Sequence, residues 1–494
     1  MTPPEWVALA PFREYAHEGR AVRGIREDLR RAAGRAVDLT GRGPDSYHGD
    51  PVTTVPLDDS TDARATASVG VTSGAESGVV DEREPARDRA PATAGPSELD
   101  ETASAPWWET LRRPVRAWES SGRRWLPGVW YPVVLWLFWR AAHLLLSLYQ
   151  DPGHRWSNVF GAVLYYDGER YMQIANQGYF WPSRQDMPNT AFFPGVSWLA
   201  WAVDRIVHSN LLTAHVVATV TGLAAFIAVW GVSKAWKNDA VARKSVWLLA
   251  LMPSSLFLWA FYSEGLFIAL GAGAIWADRK QKHWLAAALI LALSTTRSVA
   301  VLVPLVMIAA RMYRQRRPDR WCAVYGAAAL LGIVPVLYMM DWFTGDPLAF
   351  LKVQADWGRA LSPPWTTLAN GYLNLWPDPQ TIMVPALVAR NFDLWCVPIV
   401  AVGVGYAALA RRARLPMESW MLGVALILLP LCSTSLASFN RFVFADWVIY
   451  PAYATMACRL PVPWRRAFWA VVVVMFSITT YHMVGRFTVD RFVG

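Results

Sequence analysis

Asp167 and Glu169 stand two residues apart in Tyr165-Tyr166-Asp167-Gly168-Glu169-Arg170-Tyr171, a polar, aromatic-rich stretch that runs on through Ile174-Ala175-Asn176-Gln177-Gly178-Tyr179 and closes with Ala191-Phe192-Phe193-Pro194. It comes just after the first membrane-length apolar run. A carboxylate held at a membrane surface suits chemistry on a lipid-linked substrate, because a base that deprotonates a hydroxyl must sit beside the reacting centre. The two acids could also share a divalent cation, or one could act while the other pairs with Arg170. Equally, both could be ordinary loop charges, which exterior loops commonly carry.

Three further ionisable residues lie deeper. Glu264 is the only acid between Val246 and Ala277 and follows Phe261-Tyr262-Ser263. Arg297 stands in Ser294-Thr295-Thr296-Arg297-Ser298, and Arg441 in Ser438-Phe439-Asn440-Arg441-Phe442. Charges at such depth are costly and point to function with a named partner. A pair of guanidiniums on one face can grip a phosphate through forked hydrogen bonds. The plainer reading is a structural Glu264–Arg297 salt bridge closing two hairpins. Gln354, Trp357 and Arg359, in the long stretch 344–393, fit sugar or phosphate contacts and fit a packed lid equally well. His143 and His215 lie in apolar runs with no second ligand at helical spacing, and so read as hydrogen-bonded interior residues.

The elements that must position these residues are membrane helices. Residues 1–105 are polar and poor in aromatics, a composition that cannot bury enough apolar surface to order a chain. Residues 106–127 mix Trp107, Trp108, Trp118 and Trp125 with arginines, as an interfacial anchor does. From there a transmembrane region extends to residue 494. Its candidate spans are 128–149, 211–233, 245–262, 264–278, 284–296, 298–311, 321–342, 394–410, 417–436, 442–458 and 467–485, about eleven helices of all-α type. No cleavable signal peptide is read at the N-terminus, so the first span is expected to direct insertion.

Placing the tail in the cytoplasm puts Lys234/Lys237/Arg243/Lys244, Arg279/Lys280/Lys282, the Arg311–Arg320 cluster, Arg411/Arg412/Arg414 and Arg459/Arg465/Arg466 all inside. The loops 150–210 and 344–393 then face outward, provided 191–207 is an interfacial or re-entrant helix. The formal charge of +9 follows from these inner loops, so nucleic-acid binding is not inferred. The excess of Arg over Lys points to a GC-rich bacterial genome. Cys322, Cys396, Cys432 and Cys458 lack metal-ligand spacing and read as free thiols.

The motifs around Asp167, Tyr262-Ser263-Glu264, Thr296-Arg297-Ser298, Gln354 with Trp357-Gly358-Arg359, and Ser438-Phe439-Asn440-Arg441-Phe442, in this order, resemble the PIG-V family of mannosyltransferases, over roughly residues 126–485. Tyr166 departs from the Trp usual before the family's acid. The resemblance implies a GT-C fold and inverting transfer of mannose from a polyprenyl-phosphate donor, outside the cell membrane. It implies Asp167 as general base and Arg297 and Arg441 on the departing phosphate. Tyr171, Glu264, Gln354, Trp357, Arg359 and Asn440 would stand next to the site, with Glu169 as a second acid or metal ligand. Such a donor brings its own leaving group, so no cofactor is required, while the acidic pair leaves room for a divalent cation. The acceptor would be a glycolipid, a lipoglycan or a protein hydroxyl.

A transporter or lipid flippase, with Glu264 and Arg297 as an intramembrane relay, is the alternative. It would be expected to show inverted repeats and a charged midplane. A scaffold anchored by its membrane body is a third reading, which the long exterior loops disfavour.

Overall fold

The computed structural model describes residues 107–179, 189–356, 358–373, 391–409 and 415–489, with side chains from residue 128 onward. The tail, Trp357, residues 374–390 and the arginines at 411, 412 and 414 lie outside the described residues, as do the side chains of the 106–127 anchor.

Every element in the described residues is helical. In chain order they are α1 (Trp107–Gln150), α2 (Trp156–Gly161), α3 (Asp167–Gln177), α4 (Gly195–Val207), α5 (Asn210–Trp236), α6 (Asp239–Leu251), α7 (Leu256–Trp259), α8 (Ser263–Arg279) and α9 (His283–Leu293). Then follow α10 (Leu302–Gln315), α11 (Arg320–Thr344), α12 (Ala349–Asp356), α13 (Pro364–Leu373), α14 (Phe392–Leu409), α15 (Met417–Leu431), α16 (Phe439–Ala445), α17 (Ile449–Arg459) and α18 (Val462–Thr488).

Among the described residues, six segments are long and apolar enough to cross a membrane: Gly128–Gln150 of α1, α5, Ser298–Gln315 ending in α10, α11, α14 and α18. Many apolar side chains on these helices are exposed, including Phe138, Leu331, Tyr338 and Val471, as a lipid-facing surface requires. The chain is therefore built as a multi-pass membrane protein.

Two expected spans are broken. Residues 245–262 divide at Met252-Pro253, where α6 and the short segment after it meet at 82°. Proline removes a helical donor and its ring crowds the preceding turn, so one continuous helix cannot form there. Residues 442–458 divide between α16 and α17, at Asp446 and Trp447. The doubtful 191–207 segment is a 13-residue helix, α4. At 1.5 Å per residue it rises roughly 20 Å, short of the ~30 Å hydrocarbon core.

α8 organises the centre. It packs along α5 and α9 and also touches α4 and α16. Small residues let neighbours approach closely. At Gly271 an added Cβ would come within 2.3 Å of the Trp447 ring, so the indole fills the space a side chain would take.

At the C-terminal end of α8 lies an ionic network. Arg311 holds Asp319 through Nε (2.9 and 2.8 Å) and through a second guanidinium nitrogen (2.6 Å), and Asp278 at 2.9 Å. Tyr325 donates to Asp278 (2.7 Å), and His283 Nδ1 lies 2.9 Å from the Tyr325 hydroxyl. Glu418 on α15 accepts from Arg279 (Nε, 2.6 Å) and Arg314 (2.9 Å). Five helices, α8, α9, α10, α11 and α15, are tied together at this end, where the sequence places its basic loops.

Candidate functional site

The opposite end of α8 starts beside Asp167. Glu264 and Asp278 are fourteen residues apart, so about 21 Å of helix separates the two ends. Several local features deliver Asp167 there. A 3₁₀ turn, Ala162–Leu164, ends at Tyr165, and Tyr166 adopts φ 56°, ψ −113°, a rare conformation for a bulky residue. That sharp turn starts α3 at Asp167. Phe261 N donates to Val163 O (2.9 Å), which clamps this turn to the entry of α8. Gly168 packs so closely that an added Cβ would lie 2.9 Å from the same Val163 oxygen.

Arg441 comes from α16, and its neighbour Asn440 anchors that helix. The Asn440 backbone N–H (2.6 Å) and side-chain amide (2.8 Å) both donate to Asp393, and Ser254 donates to its carbonyl oxygen (3.0 Å). Arg297 lies in extended backbone between α9 and the turn that opens α10. That segment is fixed because Gly195 N, at the start of α4, donates to Thr295 O (2.8 Å). Arg359 is carried by a strap stitched to the turn after α15. It donates to Ala437 O (3.0 Å), Ala360 N donates to Thr434 Oγ1 (3.0 Å), and Thr434 N donates to Ser362 Oγ (3.0 Å).

These elements bring one cluster together. Glu264, completely buried, accepts from Arg441 through Nε (2.8 Å) and lies 2.7 Å from a second Arg441 nitrogen, all on the single oxygen Oε1. An Arg297 guanidinium nitrogen sits 2.9 Å from that same oxygen but is not aligned as a hydrogen bond. The third nitrogen of Arg441 pairs with Asp167 at 2.6 Å. Aromatic faces support the cations: Arg441 lies over Tyr262 (4.7 Å) and Phe257 (5.0 Å), and Phe442 faces Arg297 (5.2 Å) and Arg359 (5.9 Å).

A cavity of about 410 Å³ opens on this cluster. Its charged lining is Asp167, Arg297, Arg359 and Arg441. Hydroxyls of Tyr171, Thr296, Ser298, Ser433 and Ser438 belong to residues of its wall, as does Gln354, while Phe192, Phe193, Phe350, Leu351, Leu361 and Leu429 make it apolar elsewhere. Three guanidiniums and one carboxylate therefore line it, with Glu264 beneath. Burial, and then repulsion from Arg441, lower the pKa of Arg359 from its ordinary value. An anion in the cavity would relieve that repulsion.

Of the expected site residues, Asp167, Tyr171, Arg297, Gln354, Arg359 and Arg441 line the cavity. Glu264 is behind its wall, and Asn440 is occupied with Asp393. Glu169 is exposed and accepts from Gln173 (3.1 Å). Residues two apart on a helix do not share a face, so Asp167 and Glu169 do not converge. Among the described residues, no group of three or more His, Cys, Asp or Glu side chains is placed to hold a metal. Sequence reading did not single out Ser433, and it quoted Ser438 and Phe442 only as parts of the motif around Arg441, without assigning either a place in the wall. Phe442 was within reach, since it adjoins Arg441.

No family model matches the chain, and no curated protein does. Among solved structures it is similar to the oligosaccharyltransferase of Archaeoglobus fulgidus in its apo form (12% identity, TM-score 0.43, 73% of this chain, 56% of that one). It is also similar to ArnT from Cupriavidus metallidurans bound to undecaprenyl phosphate (14% identity, TM-score 0.45, 72% of this chain, 77% of that one). The chain spans little more than half of the archaeal enzyme's length. Likeness of this degree carries no statement about chemistry.

Proposed function

We propose that the chain is a membrane glycosyltransferase of GT-C type. It transfers mannose from a polyprenyl-phosphate donor to a hydroxyl acceptor on the extracytoplasmic side, with inversion at the anomeric carbon. The observation that carries this reading is the cavity at the far end of α8 from the ionic network, lined by three arginines around a single carboxylate. Such a lining suits an anionic head group, and its apolar residues suit a substrate that arrives from the bilayer. The PIG-V-like motifs supply the sugar.

In the reaction, the acceptor oxygen attacks the anomeric carbon as the bond to the phosphate oxygen breaks. The acceptor proton passes to Asp167, and the electron pair leaves with the phosphate. Arg297 and Arg359, each with guanidinium N–H groups not committed to Glu264, meet the charge that develops there. Arg441, forked between Asp167 and Glu264, orients the base. The leaving group is already a phosphate, so no step calls for a metal. The orientation, tail inside and cavity outside, follows the inner basic loops.

A donor screen on the purified full chain tests this, with an alkyl glycoside as acceptor. Transfer is expected from polyprenyl-phosphate-mannose and not from a nucleotide sugar. Direct use of a nucleotide sugar would overturn the reading, because such donors belong to the cytoplasm.

A further inference from the structure

Glu264 touches nothing in the cavity, yet it contacts two of the three arginines that line it. Both guanidiniums converge on one oxygen, Oε1, at 2.7 to 2.9 Å. The other oxygen, Oε2, is fully buried and accepts no hydrogen bond. A bare oxygen on a completely buried carboxylate is costly. Asp319, by contrast, engages Arg311 through both of its oxygens.

The two arginines come from α16 and from the loop after α9, and like charges this close repel. Glu264 is what allows them to share one wall. It also claims two of the three nitrogens of Arg441, leaving the third for Asp167. Without Glu264, the unshared carboxylate nearest Arg441 is Asp167.

Resting on the lipid-phosphate donor reading, we propose that Glu264 is a positioning residue. It divides the labour of the arginines by withholding Arg441 from full capture by Asp167, while Arg297 stays turned toward the donor phosphate. Its contribution is to turnover and not to donor affinity. Removing its negative charge leaves the cavity more positive, so phosphate binding persists. Arg441 then collapses onto Asp167 and blocks the base.

The test compares wild type, Glu264→Gln and Glu264→Asp as purified full chains. Two quantities are read: equilibrium binding of polyprenyl phosphate, and kcat with saturating polyprenyl-phosphate-mannose. Glu264→Gln should keep lipid-phosphate binding within about threefold and lose kcat by about 100-fold. Glu264→Asp, which restores the charge one methylene short, should recover kcat to between about a tenth and a half of wild type with the same binding. Weakened binding with near-normal kcat, or normal values of both, would overturn the proposal. If Glu264→Gln does not fold, Glu264→Asp is read by the same split: lowered kcat with binding kept supports the proposal, and unchanged kcat or loss of binding alone overturns it. A wild type that binds no polyprenyl phosphate overturns the donor reading itself, a result separable from any behaviour of the variants.

Discussion

The two ends of α8 use the same residue types to opposite ends. At its C-terminal end, Asp278, Asp319 and Glu418 meet Arg279, Arg311 and Arg314, three acids against three arginines. Carboxylate oxygens on both sides of these groups are engaged, and Tyr325 and His283 extend the network. At its N-terminal end, Asp167 and Glu264 meet Arg297, Arg359 and Arg441 beside a cavity, and one Glu264 oxygen is left bare. The first cluster is closed and balanced, as a structural clamp should be. The second puts three arginines and one carboxylate on the wall of a cavity, with room next to them, which suits an anion that comes and goes.

Substitutions can break this contrast. The largest effect is expected from Asp167→Asn, which keeps shape but removes the base. Sugar transfer should fall by about 10²–10⁴-fold, with the detergent-solubilised protein eluting as wild type does. Near-normal transfer would remove Asp167 as the base. Arg297→Gln should come next, lowering transfer by about 10²–10³-fold because its free N–H groups face the developing phosphate charge. Arg311→Gln, at the other end, should reverse the pattern. Removing one partner of a buried network costs about 3–5 kcal/mol of stability, read as a lowered unfolding midpoint, while kcat per folded molecule stays near wild type. Truncation of residues 1–105 should have the smallest effect, within about twofold on transfer, measured on protein that still inserts into membranes.

Acid sharpens the same contrast. Hydrogen bonds from Arg311 hold the Asp319 carboxyl below the usual carboxylate range. Stability from a depressed carboxyl is complete above the unfolded value of about 4 and is lost as pH falls through the lower folded value. Asp319→Asn should therefore be less stable than wild type at neutral pH, and the gap should narrow as the pH falls below about 4. Thermal unfolding across that range checks it.

Much of the frame was legible in the sequence because hydrophobic length is a local property. The expected spans 211–233, 321–342, 394–410 and 467–485 correspond to α5, α11, α14 and α18 within a few residues. The break at Met252-Pro253 was signalled by its proline, but the apolar run continues through it. The clustering of basic residues marked one end of the bundle, and there the structure assembles Arg279, Arg311 and Arg314. The site was legible only as separate pieces. That Asp167 and Arg441 form an ion pair, 274 positions apart, is set by the turn at Tyr166 and the anchoring of Asn440 on Asp393, neither of which has a periodic signature. Asn440 was expected beside the site, and its amide holds the helix that presents Arg441. Glu169 was a candidate second acid or metal ligand beside Asp167, and both stand in the first turn of α3, where residues two apart lie on different faces.

The most direct measurement is equilibrium binding of polyprenyl phosphate to purified wild type, Arg297→Gln and Arg311→Gln, all at one temperature where each is folded. Wild type and Arg311→Gln should bind alike, and Arg297→Gln should bind at least about tenfold more weakly, a difference of ~1.4 kcal/mol. Equal binding by all three, or a loss confined to Arg311→Gln, would contradict the assignment of the arginine-lined cavity to the donor phosphate.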